Sequence, residues 1–148
     1  MVVIAVLLRM LSFAYTLIAN DVAAALETVG LDPYVGFLHT LRPGRTSLAL
    51  DMMEELRAYL ADRLVLSLIN RKQISGKGFV EHGDNGIVMD EDIRKGVLLA
   101  WQKRKKETII HPYLNESVPI GLIPYIQAML LARFLRNDLD NYPVFLMK

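Results

Sequence analysis

The chain has 148 residues, 53% hydrophobic and 22% charged, with a mean hydropathy of +0.28, which is ample for one buried core and excludes disordered, collagen-like and low-complexity classes. Seventeen Lys and Arg against sixteen Asp and Glu leave a net charge of +1, so bulk charge cannot hold a polyanion and any nucleic-acid contact must come from local clusters. The absence of cysteine excludes disulfide frameworks, thiolate metal sites and thiol nucleophiles.

Met1 to Leu8 is wholly apolar, but Arg9 follows the run instead of preceding it, and Ser12, Thr16, Asn20 and Asp21 interrupt what comes after. A secretory leader wants its charge first, and a membrane span wants about 20 apolar residues. The expected structure is an amphipathic helix to about Glu27, stopped at Gly30. Thr46 or Ser47 is a candidate N-cap for a second helix through about Arg57, and Asp62 sits in or starts a third reaching Arg71. Four glycines then punctuate short β-type runs at 78–81 and 87–89, with Asp84-Asn85-Gly86 as the turn signal. Asp90 offers an N-cap for a helix to about Thr108 that carries Ile93, Val97, Leu98 and Trp101 at helical spacing. His111-Pro112 opens a loop. The last helix spans about Pro119 to Asn137, with Ile126, Leu130, Leu131 and Phe134 on one side and Pro124 either kinking it or marking its first turn. The fold class expected is mainly α, a helical bundle-like single domain over 1–148 with a short β-hairpin or irregular insertion near residues 76–90.

Chemistry concentrates between Tyr34 and Arg57. On a helix stepping 100° per residue, Asp51, Glu54 and Glu55 fall within about 100° of arc, beside an apolar face of Leu48, Ala49, Met52, Met53 and Leu56. Like charges at these spacings disfavour a helix by roughly 0.2–0.5 kcal/mol per pair, so the stripe calls for something positive, either a divalent cation or nearby arginines. His39 lies upstream in a turn or loop, joined to the helix through Arg42-Pro43-Gly44-Arg45. An imidazole with one or two carboxylates suits magnesium or manganese, which polarises a phosphodiester and activates an attacking hydroxyl. Arg42 and Arg45 either hold phosphates there or neutralise Asp51 or Glu55.

Other features carry less. Gly76-Lys77-Gly78 lacks the spacing of a phosphate-binding loop, and Glu81, His82 and Asp84 read as a solvated turn. The basic run Lys103–Lys106 is a solvated helix end, a complement to the helix dipole or a DNA contact. His111 shapes the exit from its helix or makes a polar contact at DNA or an interface. Trp101 and the methionines are core or interface residues, and Ser47 has no histidine at motif spacing, so a hydrolase triad is not supported.

The segments LSFAY at 11–15, GLDPYVGFLH at 30–39, RPGRTSLALDMMEELR at 42–57, DRLVL at 62–66, LINR at 68–71, RKKE at 104–107, QAMLLAR at 127–133 and YPVFL at 142–146 together resemble the CRISPR-associated spacer-acquisition integrase family, also described as a DNA endonuclease. The likeness runs from about Met10 to Lys148. It implies a helical catalytic domain that holds Mg2+ or Mn2+ through a histidine and acidic ligands. His39 matches the histidine, Glu54 the acidic ligand, and Asp51 an acidic position one turn earlier. Arg63, Asn70 and Arg71 recur in the pattern, as DNA contacts or as structural pairs, and Arg71 joins Arg42 and Arg45 as a candidate DNA-binding residue. The resemblance further implies a cytoplasmic homodimer with no membrane association, a small companion protein, and spacer-precursor and repeat DNA as substrates. The family pattern also has an N-terminal β-domain and a glutamate upstream of the histidine, and neither is matched, since the first glutamate here is Glu27. The expectation is therefore a truncated form that is weak or inactive alone, with a non-catalytic DNA- or protein-interaction module as the alternative.

Overall fold

Buried residues at nearly constant four-residue spacing establish the first element. Met10, Ala14, Ile18, Val22, Ala25 and Leu26 are fully buried along one face of helix α1, Val2–Thr28. The computed structural model describes residues 2–34, 47–70, 79–82, 86–89 and 91–147. Helix α1 stops where the sequence indicates. Gly30 takes φ +84°, its N–H donates to the Glu27 carbonyl at 3.0 Å, and the Leu31 N–H reaches back to Leu26 at 2.9 Å. Both bonds occupy carbonyls that a helix end leaves open, and a left-handed residue is needed to form them.

The chain returns through Pro33, whose carbonyl accepts the N–H groups of Leu48 and Ala49 at 2.7 and 3.2 Å. That contact satisfies the start of α2, Ser47–Leu56; the expected cap Thr46 lies outside the described residues. Two separate helices were expected from here, but the helical run is continuous. A wide π-helical segment, Arg57–Asp62, joins α2 directly to α3, Arg63–Asn70. Asp62 sits inside this run because its carboxylate accepts the Tyr15 hydroxyl at 2.8 Å, which holds it against α1 instead of leaving it to cap a new helix.

Strands β1, Phe79–His82, and β2, Gly86–Met89, pair antiparallel with Phe79 opposite Met89 and His82 opposite Gly86, as the turn signal implies. Helix α4, Glu91–Arg104, carries Glu91 and Asp92 in its first turn and Lys103 and Arg104 in its last, the arrangement that complements a helix dipole. It buries Val97 and Trp101. The expected continuation to Thr108 does not occur. Residues 105–107 turn, with Glu107 N–H bonded to the Arg104 carbonyl at 3.0 Å, and Thr108–Ile110 becomes strand β3, paired with β4, Ser117–Pro119. Cross-strand pairing of the β-branched Thr108-Ile109-Ile110 outcompetes another helical turn.

A 3-10 turn, Ile120–Leu122, leads into α5, Ile123–Leu135. Pro124 stands in its first turn, where the missing N–H costs nothing, so it starts this helix and does not kink it. Asn137, at φ +66°, closes α5 with the same pair of backbone bonds that Gly30 makes for α1. The described residues thus form five helices and two small hairpins. One core joins the α1 stripe to Leu48, Met52, Leu56, Leu60, Leu64 and Leu68 of the central run, to Trp101 of α4, to Ile123 and Leu131 of α5, and to Phe145 of the C-terminal tail. Each such buried aliphatic or aromatic side chain contributes about 1.5–3 kcal/mol relative to exposure. No described helix is long and apolar enough to cross a membrane.

Candidate functional site

Helix α2 divides its three acidic residues between two clefts. Asp51 and Glu55 line one largely apolar cleft of about 290 Å³ with Leu48, Met52, Phe134 and Tyr142. Glu54 lines another, of about 190 Å³, with Tyr15, Thr16 and Arg57. Glu55 turns toward α5 and the C-terminal tail. The expected stripe is therefore present on the helix, but its members are not gathered at one point.

Glu54 has the most open position. Its side chain is 47% exposed and pairs with Arg57 at 3.2 Å. An exposed i,i+3 pair of this kind contributes about 0–1 kcal/mol, so the carboxylate is held only weakly. Nearby, burial raises the Tyr15 phenol above its ordinary range and the bond to Asp62 adds to the effect, so Tyr15 remains a neutral donor beside the Glu54 cleft.

Glu55 is the anchor of a closed polar network. Its carboxylate accepts from Gln127 Nε2 at 2.8 Å, from the Tyr142 hydroxyl at 2.6 Å, and from the Phe145 backbone N–H. Gln127 is fully buried, as is His111, and the two bond at 2.8 Å. His111 Nδ1 accepts the backbone N–H groups of Tyr113 and Leu114 at 3.1 and 3.2 Å. The ring proton is therefore assigned to Nε2, which donates to Gln127 Oε1 and leaves Nε2 of the amide to donate onward. The remaining Gln127 hydrogen has the Pro143 carbonyl at 3.1 Å and the Tyr142 oxygen at 2.9 Å. Burial, then the adjacent Glu55 charge, pushes the Tyr142 phenol well above its ordinary value. The network ties hairpin β3–β4, α5 and the tail to α2, and so fixes the helix that carries Asp51 and Glu54.

Sequence reasoning placed Glu55 with the other acids and assigned no role to Gln127 or Tyr142. One signal was available: Gln127 is a polar residue inside the apolar face of α5. His111, expected at a helix exit or an interface, is instead buried in this network. Trp101 is core, as expected, and its Nε1 donates to Asp21 at 3.1 Å. His39, Arg42, Arg45 and Arg71 lie outside the described residues.

As metal ligands, Asp51 and Glu54 supply hard oxygen donors one helical turn apart, a set suited to Mg2+ or Mn2+. Among the described residues no group of three or more such side chains converges on one point. The donor chemistry fits such an ion, with His39 as the further ligand the sequence offers.

A family model described as CRISPR associated protein Cas1 matches residues 9–103. The chain belongs to the Cas1 family. A CRISPR-associated endonuclease Cas1 of Rhodospirillum rubrum is 56% identical over 94% of this chain, which covers 40% of that relative. Three such relatives are each matched over 40% of their own length, so the chain spans about two-fifths of the length of these Cas1 proteins. Among solved structures, a Cas1 protein from Thermotoga maritima superposes with TM-score 0.79 at 27% identity, over 86% of this chain and 39% of that one. A casposase bound to an integration product superposes with TM-score 0.82 over 91% of this chain and 39% of that one. At 24% identity the second likeness speaks to fold alone. The mainly helical architecture expected from sequence is thus shared with the matched part of a solved Cas1 protein.

Proposed function

We propose that this Cas1 chain is the metal-holding, DNA-cleaving and strand-joining part of an endonuclease and integrase that inserts spacers into CRISPR arrays. The observation that carries the reading is the contrast on α2. Glu55 is saturated by a buried network that fixes the helix, while Glu54 is left accessible with, among the described residues, one weakly held partner. His39 and Glu54 hold Mg2+ or Mn2+, and Asp51 is a supporting or variable ligand. The ion, when bound, supplies Lewis-acid polarisation of a phosphodiester and activation of a DNA 3′-hydroxyl or water. Arg57, which pairs with Glu54 at 3.2 Å, would be a neighbouring cation for a phosphate were Glu54 to hold such an ion. Arg42, Arg45 and Arg71 contact the DNA backbone. A homodimer, a small companion protein and a cytoplasmic setting follow from the family resemblance.

The chain contains no match to the family's upstream glutamate, and two or three ligands bind an ion less tightly than a full set. Purified chain is expected to bind Mn2+ weakly and to cleave duplex DNA slowly or not at all. Calorimetric Mn2+ titration with Glu54→Gln and His39→Ala reads the site directly. Both substitutions should abolish the residual binding, and unchanged affinity in both would refute the assignment. The Glu54–Arg57 ion pair favours a second reading, a non-catalytic module that keeps the fold and some DNA affinity. Robust Mn2+-dependent cleavage, lost in His39→Ala, would eliminate it.

A further inference from the structure

The basic run Lys103–Lys106 divides into residues with different surroundings. Lys105 is used by the fold, since its Nζ meets Asp21 at 2.8 Å and lies 5.3 Å from the Trp101 ring centre. Arg104 is less well provided for. Only 18% of its side chain is exposed, yet its carboxylate neighbour Glu107 stands 3.8 Å away and is itself 57% exposed. Its Nη2 donates to the Tyr59 carbonyl at 3.3 Å, and its buried Nε has no hydrogen-bond partner among the described residues. A largely desolvated guanidinium with so distant a counter-charge leaves a positive potential that an anion would offset.

Beside it, α3 and α4 leave a cleft of about 130 Å³, floored by Leu64 and Leu68 and edged by Ser67, Lys103, Arg104 and Glu107. Two cations face one carboxylate there. The positive surface also continues past the cleft, because Arg63 lies 4.4 Å over the same Tyr59 ring that Arg104 approaches at 5.6 Å. A row of cations extending beyond a single-anion cleft suits successive phosphates better than one free ion. We infer that the α3–α4 cleft binds a phosphate group of a nucleic-acid backbone, with Arg104 and Lys103 as counter-charges and Ser67 as a hydroxyl donor. This rests on the DNA reading above, but it places a contact away from the α2 carboxylates. Glu107 competes for the same guanidinium and is displaced when phosphate enters.

The competition gives a test with opposite signs. Binding of a labelled random-sequence DNA duplex to the 148-residue chain is followed by fluorescence anisotropy across a salt series, without divalent metal. Lys103→Gln should flatten the slope of log affinity against log salt by about one. Glu107→Gln should tighten binding several-fold, a change that loss of a merely structural ion pair does not produce. Both residues are exposed, and circular dichroism checks that the variants fold. In a second arm, inorganic phosphate or unlabelled duplex is titrated while the Arg104 Nε–H resonance is observed by NMR. Duplex should shift it in the unmutated chain and shift it less in Lys103→Gln. A resonance that answers inorganic phosphate but not duplex overturns the nucleic-acid assignment. Duplex binding by the unmutated chain with unaltered slope and affinity in both variants overturns the site and leaves the α2 reading standing. No duplex binding at all also overturns the site, while the Mn2+ titration above still decides the α2 reading.

Discussion

Glu54 and Glu55 are neighbours in sequence and chemically identical, yet the fold uses them in opposite ways. Glu55 receives three donors from α5 and the tail within a buried network, whereas Glu54 stands half exposed and, among the described residues, pairs with Arg57. Successive residues on a helix point about 100° apart, enough to send one carboxylate toward the core seam and the other toward solvent. Identity and position in the chain therefore say little about which acid is available for chemistry; the density of donors around it decides.

The largest effect should come from the centre of the network. Gln127→Leu strands the His111 Nε2 proton and removes a donor from Glu55, and leaving such buried groups unpaired should cost about 3 kcal/mol, read from the midpoint of urea unfolding. Glu55→Gln keeps the shape but presents a donor to donors, and should cost about 2 kcal/mol in the same measurement. Tyr142→Phe should cost about 1 kcal/mol at neutral pH and sharpen the contrast through pH. The folded state holds the Tyr142 proton more tightly than the unfolded chain does, so this contribution is complete below the ordinary phenol value of 10.0 and is lost as pH rises above it. Tyr15, raised in the same direction, adds to that loss. The unmutated chain should thus weaken progressively above about pH 10, and Tyr142→Phe should weaken less steeply over the same range. Glu54→Gln should have the smallest effect on stability, within about 0.5 kcal/mol, since it removes one exposed pair. An unfolding midpoint lowered as far as in Glu55→Gln would break the contrast between the two residues.

Much of this fold was legible in the sequence. Gly30 marked the end of α1 because only a residue tolerant of positive φ could close it, and the short β-type runs at 78–81 and 87–89 foreshadowed strands β1 and β2. The mainly helical class followed from apolar spacing. Hairpin β3–β4 was missed because three-residue strands carry too few alternations to show a period, and after Gly96 the helical pattern of α4 runs up to them with no glycine or proline to interrupt it. The network was missed for a different reason. Glu55, His111, Gln127 and Tyr142 are spread over 88 positions, and no local pattern announces a contact made only when α2, α5 and the tail meet. Asp51 and Glu54 were found because their spacing is local, but spacing could not foresee that they line separate clefts.

The π-helical segment between α2 and α3 explains a pattern in the residues on either side. Leu48, Met52, Leu56, Leu60, Leu64 and Leu68 are all buried, a strict interval of four. In an α-helix of 3.6 residues per turn, each such step advances the side chain by about 40°, so five steps would carry the last leucine to the far side of the cylinder. One wide turn winds back about 100° of that drift, as a leap day holds a calendar to its season. The interval of four and the wide turn are thus the same fact seen in sequence and in space. Deleting Ala58, an exposed residue of that segment, would remove no buried contact of its own. Since one residue and the wind-back of one wide turn are the same angle of about 100°, it should instead regularise the segment to α-helix while keeping the leucines of α2 and α3 in phase.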